Sequence, residues 1–280
     1  MKRSSATSQS GFSLVELIVV IVLIGIIGGV FAMQVLPAIR AYLVVGQRAA
    51  LTSQADTALR RIVGDVRRAV PNSLRTSGSG CLELVPSSDG GRYRNDQDYN
   101  TSPPSGAFLD ELTAKTTFDV LTPSSRLPVN GDTIVIGNQN PAAVHGGSNV
   151  GIVASAAASP NLSMGTYRIT LSGNGLRVPE GYTGARFVVV PRNEQTVAYV
   201  CDMNAGTLRR FTYPTMSVAP RCAASATSAL VATGVTACNF TYSANQGATQ
   251  ESGFVQLQLT LTGKGESVPL TLGAHVDNVP

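Results

Sequence analysis

The chain has 280 residues, of which 43% are hydrophobic and 14% are charged, so it is long enough for one sizeable folded domain beside any membrane segment. Its 28 glycines and 15 prolines, with no tryptophan, favour a loop-rich β domain over a helical bundle. The formal net charge is +4, and Lys2 and Arg3 contribute two of these charges, so the nearly neutral remainder gives little electrostatic reason to expect nucleic-acid binding.

The first predicted element is an apolar helix over residues 12–36. Glu16 is the only ionisable side chain in these 25 residues, and as a helix they would extend about 37 Å, enough to cross a bilayer core of about 30 Å. Lys2 and Arg3 precede the segment, which predicts a cytoplasmic N-terminus and export of the remainder. A secretory signal peptide would need an A-x-A-like site after the run, and a lipoprotein signal would need a cysteine before Cys81; the sequence has neither.

A carboxylate at the centre of a membrane helix costs about 2.5–3.5 kcal/mol, and somewhat less near an interface, so Glu16 is a functional candidate. Gly11, Phe12 and Glu16, in an apolar helix behind a short basic head, resemble the type IV prepilin signal. The resemblance implies that residues 1–11 are a leader peptide, that a prepilin peptidase cleaves between Gly11 and Phe12, and that Phe12 is then N-methylated. It also implies that Glu16 pairs with the free amine of Phe12, on its own chain or on the preceding subunit, and so sets the axial register of a filament.

The helix is predicted to continue over residues 37–70 as an amphipathic half. Pro37 is expected to kink the helix rather than to end it, and the sequence at residues 71–73 predicts a stop. Apolar residues recur every three or four positions: Ile39, Leu43, Leu51, Ala55, Leu59, Ile62 and Val66. Within the span, Gly25 and Gly29 have the G-x-x-x-G spacing that allows close helix packing, although ordinary glycine enrichment explains them equally well.

Residues 71–280 are predicted to form a β-rich head. The predicted strands are Cys81–Val85, Thr117–Leu121, Asp132–Gly137, Tyr167–Leu171, Ala185–Val190, Thr196–Asp202, Gly206–Tyr213, Ala237–Tyr242, Phe254–Thr262 and Ser267–Val276. The last two predict a hairpin with one buried face, and Pro269 places its strand at an edge because proline cannot donate to a ladder. A second hairpin is predicted to turn at Met203–Gly206. Ser87–Gly106 and Ala154–Met164 are predicted to be long loops.

The cysteines, Cys81, Cys201, Cys222 and Cys238, form no CxxC pair. This pattern argues against a zinc knuckle or a thioredoxin-type site and favours two disulfides in an oxidising compartment. Three pairings are open. Proximity in the sequence mildly favours Cys201 with Cys222, which leaves Cys81 with Cys238.

Other chemistry receives little support from the sequence. Asp96, Asp98 and Asn100 alternate like the start of a calcium loop, but the glycine and the closing glutamate of an EF-hand are missing, so a solvated loop is the default reading. The two histidines, His145 and His275, are not accompanied by a G-x-S-x-G elbow, and neither a phosphate loop nor a dinucleotide loop is present. We therefore predict no catalytic residue, no cofactor and no enzymatic activity.

The predicted fold class is α+β, with a long N-terminal helix packed on an antiparallel-sheet head, and it resembles the type IV pilin-like fold. Stretches such as CLELVP, RFVVV, VAYVCDMNAGTLRRFTY and the terminal HVDNVP are similar to J-type minor pseudopilins and to minor pilins of the mannose-sensitive haemagglutinin (MSHA) pilus. The resemblance implies an inner-membrane subunit with a periplasmic head, whose partners are the prepilin peptidase, other minor and major pilins and an assembly platform. Two alternatives remain open: a tip-displayed binding module that uses the Ser87–Gly106 loop, and a membrane-tethered hydrolase.

Overall fold

The computed structural model describes residues 11–100, 102–124, 126–160, 165–222, 227–246 and 252–279, so most of the predicted leader, residues 1–10, lies outside the described residues. The chain divides into two compact units, Met1–Ala50 and Leu51–Pro280. One long apolar helix is followed by antiparallel sheets. The protein is therefore α+β, as predicted, and this arrangement is consistent with a type IV pilin fold.

Helix α1 consists of residues Leu14–Arg67. It begins in the first unit and its last residues, from Leu51 onward, belong to the second unit. Ser13 caps this helix, because its carbonyl accepts a hydrogen bond from Leu17 N at 3.2 Å and its hydroxyl accepts one from Val15 N at 3.3 Å. The helix continues through Pro37, which confirms that this proline does not end it.

The buried stripe of α1 is shorter than the sequence predicts. Its apolar members recur at helical spacing: Leu51, Ala55, Ala58, Leu59, Ile62, Val63 and Val66. Ile39 and Leu43, which the periodicity places on the same stripe, are 49% and 63% exposed. Periodicity identifies a face of a helix but not what covers it. The helix also ends at Arg67 rather than near residue 70, because the Val70 N–H donates to Val85 O at 2.8 Å.

Fourteen strands and one short helix follow α1 in the described part of the second unit. In chain order they are β1 (Arg75–Thr76), β2 (Cys81–Leu84), β3 (Asp89–Arg92), β4 (Thr117–Val120), β5 (Thr133–Ile136), α2 (Pro141–Gly146), β6 (Val150–Ala158), β7 (Tyr167–Leu171), β8 (Arg186–Val190), β9 (Thr196–Asp202), β10 (Thr207–Tyr213), β11 (Ser228–Thr233), β12 (Val235–Gln246), β13 (Ser252–Gly263) and β14 (Glu266–Asp277). Every predicted strand is present: β7 and β9 have the predicted bounds, and the ends of the others are shifted by one to four residues. Strands β1, β3, β6 and β11 and helix α2 were not predicted.

Two antiparallel sheets share one core with the buried stripe of α1. The first has the strand order β1-β2-β9-β10-β11 and the second has the order β12-β13-β14. The core contains the α1 stripe together with residues such as Leu82, Tyr199, Leu208, Phe240 and Leu257. Burying a side chain of this size stabilises the fold by about 1.5–3 kcal/mol, so these contacts attach the C-terminal part of α1 to both sheets.

The predicted C-terminal hairpin is confirmed. Gly263 pairs with Glu266, which leaves the two-residue turn Lys264-Gly265, and both turn residues have positive φ, 49° and 82°. Inward side chains of β13 are buried at every second position. Pro269 lies in β14, which is an edge strand as predicted.

A six-stranded sheet is inserted between two neighbouring strands of the first sheet. Strands β2 and β9 pair directly, yet residues 89–190 intervene and form the order β3-β8-β5-β6-β7-β4. The outer strands meet, because the Arg94 N–H donates to Asp119 O and the Leu121 N–H donates to Arg92 O, both at 2.8 Å. The six strands therefore close on themselves around a separate core. We call residues 89–190 the inserted subdomain.

The two predicted long loops both contain strands, so these predictions are partly wrong. Strand β3 lies within Ser87–Gly106 and pairs with β8; Gly90 permits this approach, because a Cβ there would lie 2.8 Å from Phe187 O. Strand β6 includes residues 154–158 of the predicted Ala154–Met164 connector, whereas residues 161–164 lie outside the described residues. Alanine and serine have weak strand propensity, but pairing with β5 and β7 overrides it.

The structure contains two disulfides, as predicted, but the favoured pairing is wrong. The bonds are Cys81–Cys222 and Cys201–Cys238. Cys81 lies opposite Val200, so the next residue, Cys201, points to the other face of the sheet. That face is the one packed on the core to which Cys238 belongs. Sheet alternation, rather than distance along the chain, therefore decides the pairing.

Candidate functional site

The predicted processing residues lie directly before α1. Gly11 and Phe12 are non-helical and exposed, and the Phe12 side chain is 82% exposed. Glu16 is the acidic residue in the first turn of the helix. Gly25 and Gly29 face open space, since a Cβ added at either would meet nothing within 4 Å.

Glu16 also lies in the first turn of α1 at a fixed spacing from Ser13, a feature that the apolar pattern of the segment does not reveal. It stands three residues after the N-cap Ser13, which is the S-x-x-E spacing of a capping box. The first-turn N–H groups and the positive end of the helix dipole both favour a carboxylate at this position. The four-residue pattern Ser-Leu-Val-Glu was the signal that could have revealed it.

The apolar surface of α1 indicates what surrounds it. Among the described residues, α1 is the one helix long and apolar enough to cross a membrane, and its most apolar stretch is entirely unburied. Between Leu14 and Phe31 the large aliphatic and aromatic side chains are all exposed. Such a surface is unfavourable in water, so this segment indicates membrane anchoring.

Asp65 joins the end of α1 to the first sheet through an ionic cluster. Its Oδ2 accepts a hydrogen bond from the Tyr199 hydroxyl at 2.8 Å and another from Arg210 Nε at 2.7 Å. Arg68 reaches Asp65 Oδ1 at 3.1 Å, and the Arg210 guanidinium also forms an ion pair with Glu194. Burial alone would lower the pKa of Arg210, but its hydrogen bonds and ion pairs with Asp65 and Glu194 raise it, so the guanidinium stays charged.

A second buried cluster surrounds Glu83 on the opposite face of the same sheet. Glu83 is fully buried, and its Oε1 accepts hydrogen bonds from Arg75 Nε at 3.1 Å and Nη2 at 2.5 Å. His145 of α2 is also buried; its Nε2 lies 3.0 Å from Ser73 O, while its Nδ1 stands 3.4 Å from Glu83 Oε1 and makes no hydrogen bond. Burial lowers the pKa of His145, and the nearby Arg75 acts in the same direction.

A third polar cluster ties the C-terminal strand to the turn after α1. Asn72, whose φ is 57°, donates through Nδ2 to Asn278 O at 2.8 Å and to Asn138 O at 2.9 Å. Asn278 in turn donates to Ala244 O at 2.7 Å and to the Tyr242 hydroxyl at 3.0 Å. These amides connect the ends of all three sheets.

The weak calcium candidates serve the loop in which they lie. Asp96 Oδ1 accepts hydrogen bonds from Gln97 N at 2.7 Å and from the Tyr99 hydroxyl at 3.2 Å, and Asp98 Oδ1 accepts one from Asn100 N at 3.0 Å. Across the part of the chain that the structure describes, no group of three or more His, Cys, Asp or Glu side chains is arranged to hold a metal ion. His275, on the exposed face of β14, packs edge-on against Phe254 with the ring centres 5.2 Å apart.

The structure is that of an α+β protein whose N-terminal helix is long and apolar enough to cross a membrane. The family described as the prokaryotic N-terminal methylation motif matches residues 7–32, a range that includes Gly11, Phe12 and Glu16. No curated protein and no solved structure shows significant similarity to the chain. The motif supports a type IV pilin-like protein that is processed by a prepilin peptidase, a class whose members are structural.

Proposed function

We propose that this protein is a minor pilin, a non-catalytic subunit that joins other minor pilins to initiate assembly of a type IV filament. The N-terminal methylation motif over residues 7–32 is the observation that carries the proposal. The head stretches resemble those of MshO, a minor pilin of the MSHA pilus, and on this resemblance we propose an MSHA-type filament. The inserted subdomain makes the head larger than a major pilin would need, which favours a minor role.

The route to the filament follows from the N-terminal segment. The precursor is a single-pass protein of a Gram-negative inner membrane, with its N-terminus in the cytoplasm and its head in the periplasm. Prepilin peptidase removes residues 1–11 and methylates Phe12, after which the subunit enters the fibre or its tip. The exposed, non-helical backbone at Gly11 and Phe12 supports this cut, because proteases act on accessible segments outside regular structure.

Glu16 sets the register in this proposal. In a bundle of apolar helices an isolated carboxylate is strongly disfavoured, and the nearest available cation is the new amine of Phe12, either on its own chain or on the preceding subunit. At about 4 Å and an effective dielectric of about 20, such a pair is attracted by about 4 kcal/mol, which offsets the insertion cost.

Processing is tested by intact mass and N-terminal sequencing of the membrane-extracted protein from cells with and without the peptidase. We expect a methylated Phe12 as the first residue only where the peptidase is present. Retention of residues 1–11 in protein that is nevertheless built into fibres would contradict the proposal.

Register is tested with Glu16→Val in cells whose other pilins are intact. A matched variant, Glu16→Val with Val20→Glu, keeps the composition of the span but moves the carboxylate by one helical turn. We expect both variants to insert in the membrane and to be cleaved, yet to be missing from sheared filaments. Normal incorporation of the displaced carboxylate would show that position does not matter.

A J-type minor pseudopilin of a type II secretion system is the nearest alternative. The two differ in the filament served, so deletion separates them: loss of surface pili supports the proposal, whereas loss of protein secretion with pili intact supports the alternative. A tip adhesin is the second alternative. Substitution of the Ser87–Gly106 segment would then abolish adhesion while filaments remain.

A further inference from the structure

Two arginines stand directly opposite each other on neighbouring strands of the inserted subdomain. Arg92 is the last residue of β3 and Arg186 is the first residue of β8, and the antiparallel register pairs them. Phe187, the next residue of β8, is 2% exposed and belongs to the core of the subdomain. Because side chains alternate along a strand, both arginines lie on the outer face, and both are exposed.

The geometry of the ladder holds the two arginine side chains close together. The Arg92 N–H donates to Thr122 Oγ1 at 2.6 Å and Arg92 O accepts from Leu121 N at 2.8 Å, so its backbone groups point away from β8. Arg92 and Arg186 are therefore a non-hydrogen-bonded pair, the kind in which the Cβ atoms lie closest, about 4.5–5.5 Å apart. Like charges that face each other in this arrangement destabilise a sheet.

No ion pair offsets these two charges within the described residues. Neither guanidinium is in an ion pair there with any carboxylate. The carboxylates of the adjacent strands are engaged elsewhere: Asp89 of β3 accepts hydrogen bonds from Gly90 N at 2.8 Å and from the Ser124 hydroxyl. Asp119 of β4 forms an ion pair with Arg168 at 2.6 Å. The outer face therefore keeps a doubly positive spot that is open to solvent.

The backbone that presents Arg186 is fixed in an unusual conformation. Ala185 has a φ of 50°, in the left-handed region that residues with a Cβ rarely adopt. Its carbonyl accepts a hydrogen bond from Tyr93 N at 3.0 Å, which ties this conformation to the strand that carries Arg92. Strain of this kind persists only where the surrounding structure enforces it, and it is concentrated at functional sites.

The Tyr182 hydroxyl shows that both charges act on the same small region. This hydroxyl donates to Arg186 O at 3.4 Å. Burial raises the pKa of Tyr182, whereas the hydrogen bond with the Arg186 backbone and the positive charges of Arg186 and Arg92 act in the opposite direction. Both guanidinium groups therefore lie within electrostatic range of one hydroxyl, and they do not diverge into solvent.

We propose that Arg92 and Arg186 together bind a phosphate monoester. A guanidinium group is planar and forms two parallel hydrogen bonds with an oxyanion, so a single arginine satisfies a carboxylate. A phosphate monoester has three acceptor oxygens and about 1.5–2 negative charges at pH 7, which match two guanidinium groups. The monoester is either free in solution or the headgroup of an anionic lipid. The proposal does not rest on the filament assignment, and either one can fail alone.

Binding is measured with the full chain in a maltoside detergent, because phosphocholine detergents carry a phosphate group of their own. Glycerol phosphate and acetate are compared by thermal unfolding near neutral pH and at constant ionic strength. We expect the thermal midpoint to rise saturably with glycerol phosphate, with half-saturation in the millimolar range, and to stay constant with acetate. An equal rise with both anions, or no saturable rise with glycerol phosphate, would overturn the proposal.

Variants assign the binding to the arginine pair. Arg186→Glu places a carboxylate opposite Arg92, so it should raise the thermal midpoint in chloride buffer and abolish the further rise with glycerol phosphate. Arg92→Gln should weaken the apparent affinity about tenfold. Arg177→Gln is the matched control, since this arginine is exposed in the same subdomain but lies outside β3 and β8. Equal weakening by Arg177→Gln and Arg92→Gln would refute the assigned site.

Dihexanoyl phosphatidate, which carries the same phosphate monoester on a short-chain lipid, separates the two sources of the ligand. A tighter apparent affinity for this lipid than for glycerol phosphate assigns the site to a lipid headgroup, and an equal affinity assigns it to a free monoester. In either case Arg186→Glu should abolish the binding. Undiminished binding of both compounds by Arg186→Glu would contradict the proposal.

Discussion

Replacement of Asp65 by alanine tests whether the ionic cluster attaches the end of α1 to the first sheet. The substitution removes the acceptor of Tyr199 and of Arg210, whose side chain is only 14% exposed. It leaves a buried hydroxyl without a partner and a buried guanidinium that retains only Glu194. The free energy of unfolding of the second unit should therefore fall.

The size of the loss follows from burial. Removing one partner of a buried ion pair costs about 3–5 kcal/mol, and the remaining contact with Glu194 argues for the lower end, about 3 kcal/mol. The contact of Asp65 with Arg68 adds little, because the Arg68 side chain is 72% exposed and solvent screens the pair. For a unit of this size the loss corresponds to a decrease of about 6–12 °C in Tm.

The assay is urea unfolding of the detergent-solubilised full chain with its disulfides intact, followed by the near-ultraviolet circular dichroism of tyrosine. Asp56→Ala is the control, because Asp56 lies on the same helix and pairs with Arg60 at 2.7 Å, yet both side chains are exposed. We expect the urea midpoint of the control to stay near that of the unmodified protein. Equal shifts for the two variants would refute the claim that burial gives the Asp65 cluster its strength.

Three further predictions concern the second unit. Burial lowers the pKa of His145 in the folded protein, so as pH decreases the unfolded chain binds a proton at this residue before the folded chain does. The free energy of unfolding should therefore fall as pH decreases from about 6.5, the ordinary pKa of histidine, toward the lowered pKa of the folded state. His145→Gln should remove this dependence of the urea midpoint on pH. The Cys81–Cys222 bond closes a loop of 141 residues, so loop-closure entropy predicts that replacing both of its cysteines lowers the free energy of unfolding by about 5 kcal/mol. For the Cys201–Cys238 bond, with a separation of 37 residues, the expected loss is about 4 kcal/mol. The variant without the Cys81–Cys222 bond should therefore have the lower thermal midpoint of the two. Gly175→Ala should destabilise the inserted subdomain much more than Gly173→Ala in thermal unfolding, since both glycines have positive φ but only at Gly175 would a Cβ lie 2.3 Å from Lys115 O.

Features that depend on neighbouring residues in the chain were predictable. The apolar run with a single carboxylate at Glu16 predicted the long helix, and alternation around a Gly-Lys-Gly turn predicted the β13–β14 hairpin with Pro269 at the edge. In both cases hydrogen bonds within one helix or between adjacent strands satisfy the backbone, so the pattern of side chains along the sequence contains the needed information.

Features that depend on distant contacts were not predictable in this way. Glu83 alternates with core leucines and would be expected in water, but Arg75 approaches it and makes its burial tolerable. Strand β6 consists largely of alanine and serine, yet it forms because β5 and β7 supply pairing on both sides.

The sequence by itself determined the long apolar helix, the N-terminal methylation motif and the β character of the head, because each is set by the order of nearby side chains. Only the tertiary structure decided that residues 89–190 are inserted between β2 and β9 and close into a separate sheet. It also decided the pairing of Cys81 with Cys222, because the face on which each cysteine lies is known only once the strands are in register.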